Sequence, residues 1–365
     1  MRSDVTFNSE ELRELLNLWY MNIKLKKVQA AEKLKTEVSV QLAKGEANDD
    51  VVKLALLIHS RHHILCKNYN EAEKLISQVE RFSPYLKEEH YYYLHLFKGM
   101  YLYSTKDYYN SIEEYGQVEP YLSHIHDEIE KAEFFDLFAS ALYYLDYTNR
   151  SAIYAEKAIY IYQLYPTYEK KMTRMKNLIA LNYIDMGEYD LAEEYLHSAL
   201  QDSNTKQNVL VQMSIYHNLG LLYENKGLYS AAKRYLEKTL DHDNFDEYIN
   251  TLYLLAKIAF AEGENEKGKS FCELGMKRAE KERDQVYYWH FQVLYNANLS
   301  QNTYPTVLKK AIEFFKEHNL MYELQKYADE IATYYSNEKN FEKANYYYRL
   351  ALGYQNNVIM FHSRR

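Results

Sequence analysis

A small residue recurs at nearly constant spacing through most of the chain. Ser111, Ser151, Ala192, Ala232, Gly268 and Ala344 follow one another at intervals of 40, 41, 40, 36 and 76 residues, the last being two periods of 38 around one divergent unit. Four residues after each stand Tyr115, Ala155, Leu196, Leu236, Cys272 and Tyr348, and three further on Val118, Ala158, Ala199, Thr239, Gly275 and Ala351. That i, i+4, i+7 series traces one face of a helix. Twelve residues before the column lie Gly99, Ala139, Ala180, Gly220, Ala256 and Ala332, small again, on an earlier helix. Each unit therefore reads as two antiparallel helices that nest only because no long side chain stands between them.

Turn chemistry agrees. "DMGEYD" (185–190), "NKGLYS" (225–230) and "EGENEK" (262–267) each end the first helix of a unit with glycine. The run 218–240 carries Gly220, Tyr223, Tyr229 and Ala232 at the spacing of a tetratricopeptide repeat, here slightly lengthened. The divergent unit spans 286–299 and 306–318, entered through Pro305, which a helix tolerates in its first turn. With only 10 glycines and 4 prolines in 365 residues, turn-rich β architectures are excluded.

Upstream, Ser9 is placed as the N-cap of a helix to Lys24, with Leu12, Leu15, Leu16, Trp19 and Ile23 on one face. Further helices are placed at 28–43 and 51–66. The fold class is all-α: an N-terminal three-helix bundle (1–68), a helical linker (69–90) broken at "FSP" (82–84), and a tetratricopeptide-repeat right-handed superhelix (91–365).

A net charge of −8 disfavours direct binding to nucleic acid or anionic membrane. Cys66 and Cys272 form no disulfide or zinc pattern, and with no apolar leader or spanning segment a cytoplasmic protein is expected. Phosphate loops, dinucleotide fingerprints, zinc-protease helices and nucleophile elbows are missing from the sequence. No cofactor is expected. His59 and His63 lie one turn apart beside His62, but without a third ligand they read as packing residues, so no metal is assigned. "DHDNFDE" (241–247) puts Phe245 and Asp246 where a calcium loop needs a ligand and a glycine. The tyrosines at 91–93 and 346–348 read as core.

The first helices of the repeats form an inner surface suited to extended peptides. The register puts Arg174, Asn177, Leu181, Ile184 and Asp185 on it in one unit and His217, Asn218, Leu221, Glu224 and Asn225 in the next, with Glu133, Asp136 and Asp329 nearby. An asparagine amide can pair with both N–H and C=O of a peptide residue, and the carboxylates favour a basic ligand.

The runs "LNLWYMNIK" (16–24), "LFKGMY" (96–101) and "DEIEKAEFF" (127–135) carry a resemblance to the Rap family of spore-forming Gram-positive bacteria over nearly the full length. The resemblance implies a cytosolic sensor. Its bundle and linker would bind a response regulator, its repeats would bind a short imported signalling peptide (Phr-type), and the peptide would release the regulator. It further implies that the family's peptide-site aspartate and asparagine fall at Asp185 and Asn218; Asn177, Glu224 and Asn225 stand beside them by the register given above. Phosphatase members place a water-orienting glutamine after the second helix; that position is Asp49 here, in "GEANDD", so that Gln41 or another residue would have to substitute. The resemblance therefore implies sequestration of the regulator, the alternatives being an active phosphatase of a sporulation phosphorelay regulator or a general repeat scaffold.

Overall fold

The computed structural model describes residues 9–45, 47–82, 85–204, 209–318 and 320–363, with side chains described up to residue 353 except at 204. The described residues are helical, with no strand among them. They divide into two compact units, 1–202 and 203–365.

The first unit is built from α1 (Ser9–Lys24), α2 (Val28–Leu42), α3 (Asp49–Leu65), α4 (Tyr69–Glu80), α5 (Glu88–Ser104), α6 (Tyr108–Val118), α7 (Glu128–Tyr143), α8 (Thr148–Tyr162), α9 (Glu169–Asp185) and α10 (Tyr189–Asn204). The second contains α11 (Val209–Asn225), α12 (Tyr229–Leu236), α13 (Tyr248–Ala261), α14 (Asn265–Glu282), α15 (Gln285–Leu299), α16 (Tyr304–Glu317), α17 (Met321–Asn337) and α18 (Phe341–Ser363). Consecutive pairs pack as hairpins.

One backbone device makes the hairpins. Five residues before the small column the chain turns through left-handed φ, at Lys67, Lys106, Asp146, Gly187, Gly227, Gly263 and Lys339. The N–H of that residue bonds three residues back and the next N–H five back, as in Lys67 to Ile64 (3.1 Å) and Asn68 to His63 (2.9 Å). These bonds satisfy the last helical carbonyls. Lys26 makes the same turn between α1 and α2, five residues before buried Ala31. The hairpin register thus begins at Trp19 and Ala31 and continues through buried Ser60 and Ala72, two units upstream of the columns legible in sequence. In the divergent unit it holds Asn296 and Leu308, both buried, where the six units legible in sequence have small residues.

The small residues have direct structural consequences. A Cβ on Gly99 would stand 2.5 Å from the Tyr115 ring, and one on Gly220 2.3 Å from Leu236. Ser111 and Ser151 each donate a side-chain hydrogen bond to the carbonyl twelve residues earlier, Gly99 and Ala139, at 2.9 Å. Hence the column tolerates serine: its hydroxyl is paired inside the hairpin.

Helices α1, α2 and α3 pack on one another, and α3 also pairs with α4. A single apolar cluster runs from Leu12 to Ile179, with no core boundary near residue 68. Ser9 is the first helical residue of α1 rather than its cap, and α3 begins two residues earlier than the sequence suggests because Asn48 Oδ1 accepts from the Val51 N–H at 3.0 Å. Residues 83–84 of the "FSP" break lie outside the described residues. The tyrosines at 346–348 correct the core reading: Tyr346 and Tyr348 are exposed, and Tyr347 stacks on Tyr335 across the α17–α18 hairpin. Among the described residues, no helix is long and apolar enough to cross a membrane.

Candidate functional site

Asp185 is the last residue of α9, stopped there by Gly187 with φ 76°. Its side chain reaches solvent, yet enough protein surrounds it to raise its pKa to about 6, with repulsion from Asp146 adding to the burial. Asp146 is itself the left-handed turn residue after α7. Among the described residues no cation pairs with Asp185. Such a carboxylate gains from any ligand that brings a positive charge or N–H donors. One turn earlier, buried Asn182 donates to Ser151 Oγ (2.9 Å) and to the Leu178 carbonyl, while its Oδ1 has no partner. Asn177 is half-buried and engaged within the chain.

The acidic stripe expected along the first helices is largely neutralised. Buried Glu133 and Asp136 on α7 pair with Lys171 and Arg174 on α9, so Arg174 is an internal partner rather than a free ligand contact. In the second unit Glu224 pairs with Lys257 at 2.8 Å. Of the carboxylates that the register places along the inner face, Glu133, Asp136 and Glu224 are thus ion-paired, whereas Asp185 has no cation partner among the described residues. Leu181 is half-buried and Ile184 is buried; Asp329 is exposed on α17.

Asn218 and His217 lie on α11. The imidazole of His217 sits 2.8 Å from Thr251 Oγ1, and burial lowers its pKa to about 4, so the ring is neutral. Asn218 is only 2% exposed and is already engaged within the chain. Asn225 is exposed, its amide turned back on the Leu221 carbonyl at 2.9 Å, and Leu221 is half-buried.

At the other end of the first unit, Asp49 opens α3 and is exposed, where a carboxylate favours the helix dipole. It can accept hydrogen bonds but, ionised, donates none. Its neighbour Asp50 pairs with Lys87. Gln41, near the end of α2, keeps its Oε1 buried without a partner. The histidines of α3 are packing groups. Trp19 Nε1 donates to His62 Nδ1 at 3.1 Å, which puts the His62 proton on Nε2, 2.9 Å from Glu32; His59 stacks on His63. In the 241–247 loop Phe245 is buried and Arg278 holds Asp243 at 2.9 Å.

The three recognisable runs meet in one place. From "LNLWYMNIK", Lys24 pairs with Glu130 (2.8 Å) and Asp127 (3.2 Å) of "DEIEKAEFF", and Tyr20 donates to Glu130 at 2.7 Å. The Tyr20 ring also packs on Phe97 of "LFKGMY", centroids 5.6 Å apart. Helical periodicity shows neither this junction nor the Asp146 neighbour of Asp185, because each joins residues far apart in the chain.

Paired helices with a shared left-handed turn and interlocked small residues define a tetratricopeptide-repeat protein, and that repeat model matches 173–201 and 214–243. The N-terminal region matches a second model, described as response regulator aspartate phosphatase H, N terminal, over 6–67. The chain is 29% identical to response regulator aspartate phosphatase I of Bacillus subtilis (strain 168), covering 92% of this chain and 88% of that one. Its fold is similar to the crystal structure of apo RapI (TM-score 0.75, 27% identity, 95% and 98% covered). It is also similar to that of a Rap protein complexed with competence and sporulation factor (TM-score 0.79, 25% identity, 96% and 99% covered). These likenesses, of the N-terminal region, of the whole sequence and of the fold, support placing the chain with the Rap proteins.

Proposed function

We propose that this protein is a cytoplasmic Rap-type regulator that binds a bacterial response regulator through its N-terminal helices and loses it when a short signalling peptide occupies the repeats. The observation that carries the peptide half is Asp185. It ends a first helix of the array, has no counter-ion among the described residues, and has its pKa raised to about 6. A peptide N–H or basic side chain relieves that penalty. The Rap relative solved with competence and sporulation factor supports the same reading.

Asn218 is the proposed amide contact. Because it is buried and engaged, contact there entails local rearrangement around α11. Asn177, Glu224 and Asn225 are proposed as neighbouring contacts, with Glu224 exchanging Lys257 for the ligand.

For the regulator half we propose sequestration. Asp49 stands where phosphatase members have a glutamine, and a carboxylate beside a phosphoryl group adds repulsion instead of orienting water. Similarity to response regulator aspartate phosphatases I and A favours the second reading, a working phosphatase. Incubating the protein with phosphorylated response regulators separates the two. Stoichiometric complex without faster label loss supports sequestration; multiple turnovers per protein molecule eliminate it.

A further inference from the structure

Helix α18 turns one side to α17 and carries a second, different face in solvent. Ala344 and Ala351 are buried and Tyr347 stacks on Tyr335, which fixes the side that packs in the hairpin. Glu342, Asn345, Tyr346 and Arg349 follow at i, i+3, i+4 and i+7 on the opposite side, one continuous helical face. With Leu350 they line an open groove of about 450 Å³. Tyr346 is 62% exposed, and Phe341 and Leu352, on one edge of the face, are 67% and 56% exposed. Large apolar side chains gathered on one exposed face mark an interaction surface.

The charges on this face say what covers it. Glu342 and Arg349 stand about 10 Å apart along the helix axis, and neither has an ion-pair partner among the described residues. Their midpoint falls between Asn345 and Tyr346. Turned by 180° about an axis through that midpoint, the face presents Arg349 where it had Glu342 and Glu342 where it had Arg349. It is therefore its own complement. A parallel pairing would set like charge on like.

We propose that this face of α18 is the contact of a twofold homodimer, two copies of the helix packing antiparallel. Glu342 of each protomer meets Arg349 of the other, as an isologous contact requires. The two Tyr346 side chains meet at the axis, and the two Asn345 amides, each both donor and acceptor, pair beside them. Phe341 of one protomer comes to Leu352 of the other along their shared edge. About three turns of helix bury less than the ~1,200 Å² of stable complexes, so association in roughly the micromolar range is expected. The proposal does not depend on the peptide or the regulator reading.

Sedimentation velocity of the full chain from about 1 to about 200 μM brackets that range and tests the proposal. The unaltered chain is expected to pass from monomer to dimer. Glu342→Arg and Arg349→Glu each set like charges against one another at both contacts, and each is expected to weaken self-association about ten-fold. Mixed in equal amounts, the two variants regain opposite charges at both contacts and are expected to form a heterodimer about as tight as the unaltered homodimer. Both positions are exposed, so the variants keep the helicity of the unaltered chain, which circular dichroism checks. The proposal is overturned by a chain that stays monomeric throughout, by a dimer that either substitution leaves intact, or by two variants that fail to associate when mixed.

Discussion

Lys24 and Glu130 stand 106 residues apart and meet as an ion pair, Nζ to Oε2 2.8 Å, with side chains only 3% and 4% exposed. This contact ties the end of α1 to the first turns of α7. Glu130 holds the lysine charged against the opposing effect of burial. Removing one partner of such a pair strands the other charge, at a cost of about 3–5 kcal/mol. Lys24→Met should therefore lower stability sharply in chemical denaturation, and Lys24→Met with Glu130→Gln should recover most of the loss. A single substitution as mild as the double one would show that the pair is solvated in solution.

Gly99 faces the buried ring of Tyr115 across the α5–α6 hairpin. Gly99→Ala adds a methyl into occupied space, and overpacking of this kind costs roughly 1–3 kcal/mol, against a helix-propensity gain of about 1 kcal/mol. A net drop in melting temperature is expected. Adding Tyr115→Leu makes room and should lessen the effect of the alanine.

At the hairpin turns, Lys67, Lys106 and Lys339 hold left-handed φ that three other units give to glycine. A non-glycine residue pays roughly 1–2 kcal/mol there, partly offset by its smaller loss of chain entropy. Lys106→Gly should be neutral to stabilising by up to about 1 kcal/mol, whereas Gly227→Lys should destabilise. Thermal melts of the two variants check the sign.

Asp185 gives peptide binding a pH dependence. Its pKa rises from 3.8 to about 6 in the folded protein, so the fold favours its protonated form, and the stability this lends is lost as pH rises through about 6. A basic ligand needs the ionised form. Affinity should therefore fall as pH drops from 7 to 5, by roughly ten-fold at most, one unit below that pKa. In Asp185→Asn the affinity falls and this slope vanishes, with a loss of about 1.5–3 kcal/mol for one charged hydrogen bond.

Acid should also weaken the second unit. His217, neutral because burial lowers its pKa to about 4, must take up a proton to match the unfolded chain. Its contribution is complete above pH 6.5, the ordinary histidine value, and disappears as pH falls toward 4. Denaturation midpoints measured across that window should flatten in His217→Gln.

The hairpin array was legible because close helix packing leaves a signature at fixed separation: Gly99 with Ser111, Ala139 with Ser151, Gly220 with Ala232. It was hidden in the first unit, where Trp19 takes the small position opposite Ala31, although Ser60 and Ala72 carry the same twelve-residue pair in the next. In the divergent unit Asn296 and Leu308 hide the register in the same way. Candidate ligand residues were legible as a face but not as an electrostatic environment. Helical periodicity puts Glu133 and Asp136 on the inner side, yet only the fold shows Lys171 and Arg174 neutralising them. It likewise cannot reveal that Asp185 faces another carboxylate, or that Asn218 is buried and already engaged.

The most direct test of the central claim is a displacement titration. The protein is mixed with a fluorescently labelled response regulator to form a complex, and short basic peptides are added while anisotropy is followed. The account predicts a complex that a peptide dissolves saturably in the unaltered chain and at much higher concentration in Asp185→Asn. No complex with any response regulator, or a complex that persists when peptide is bound, contradicts it.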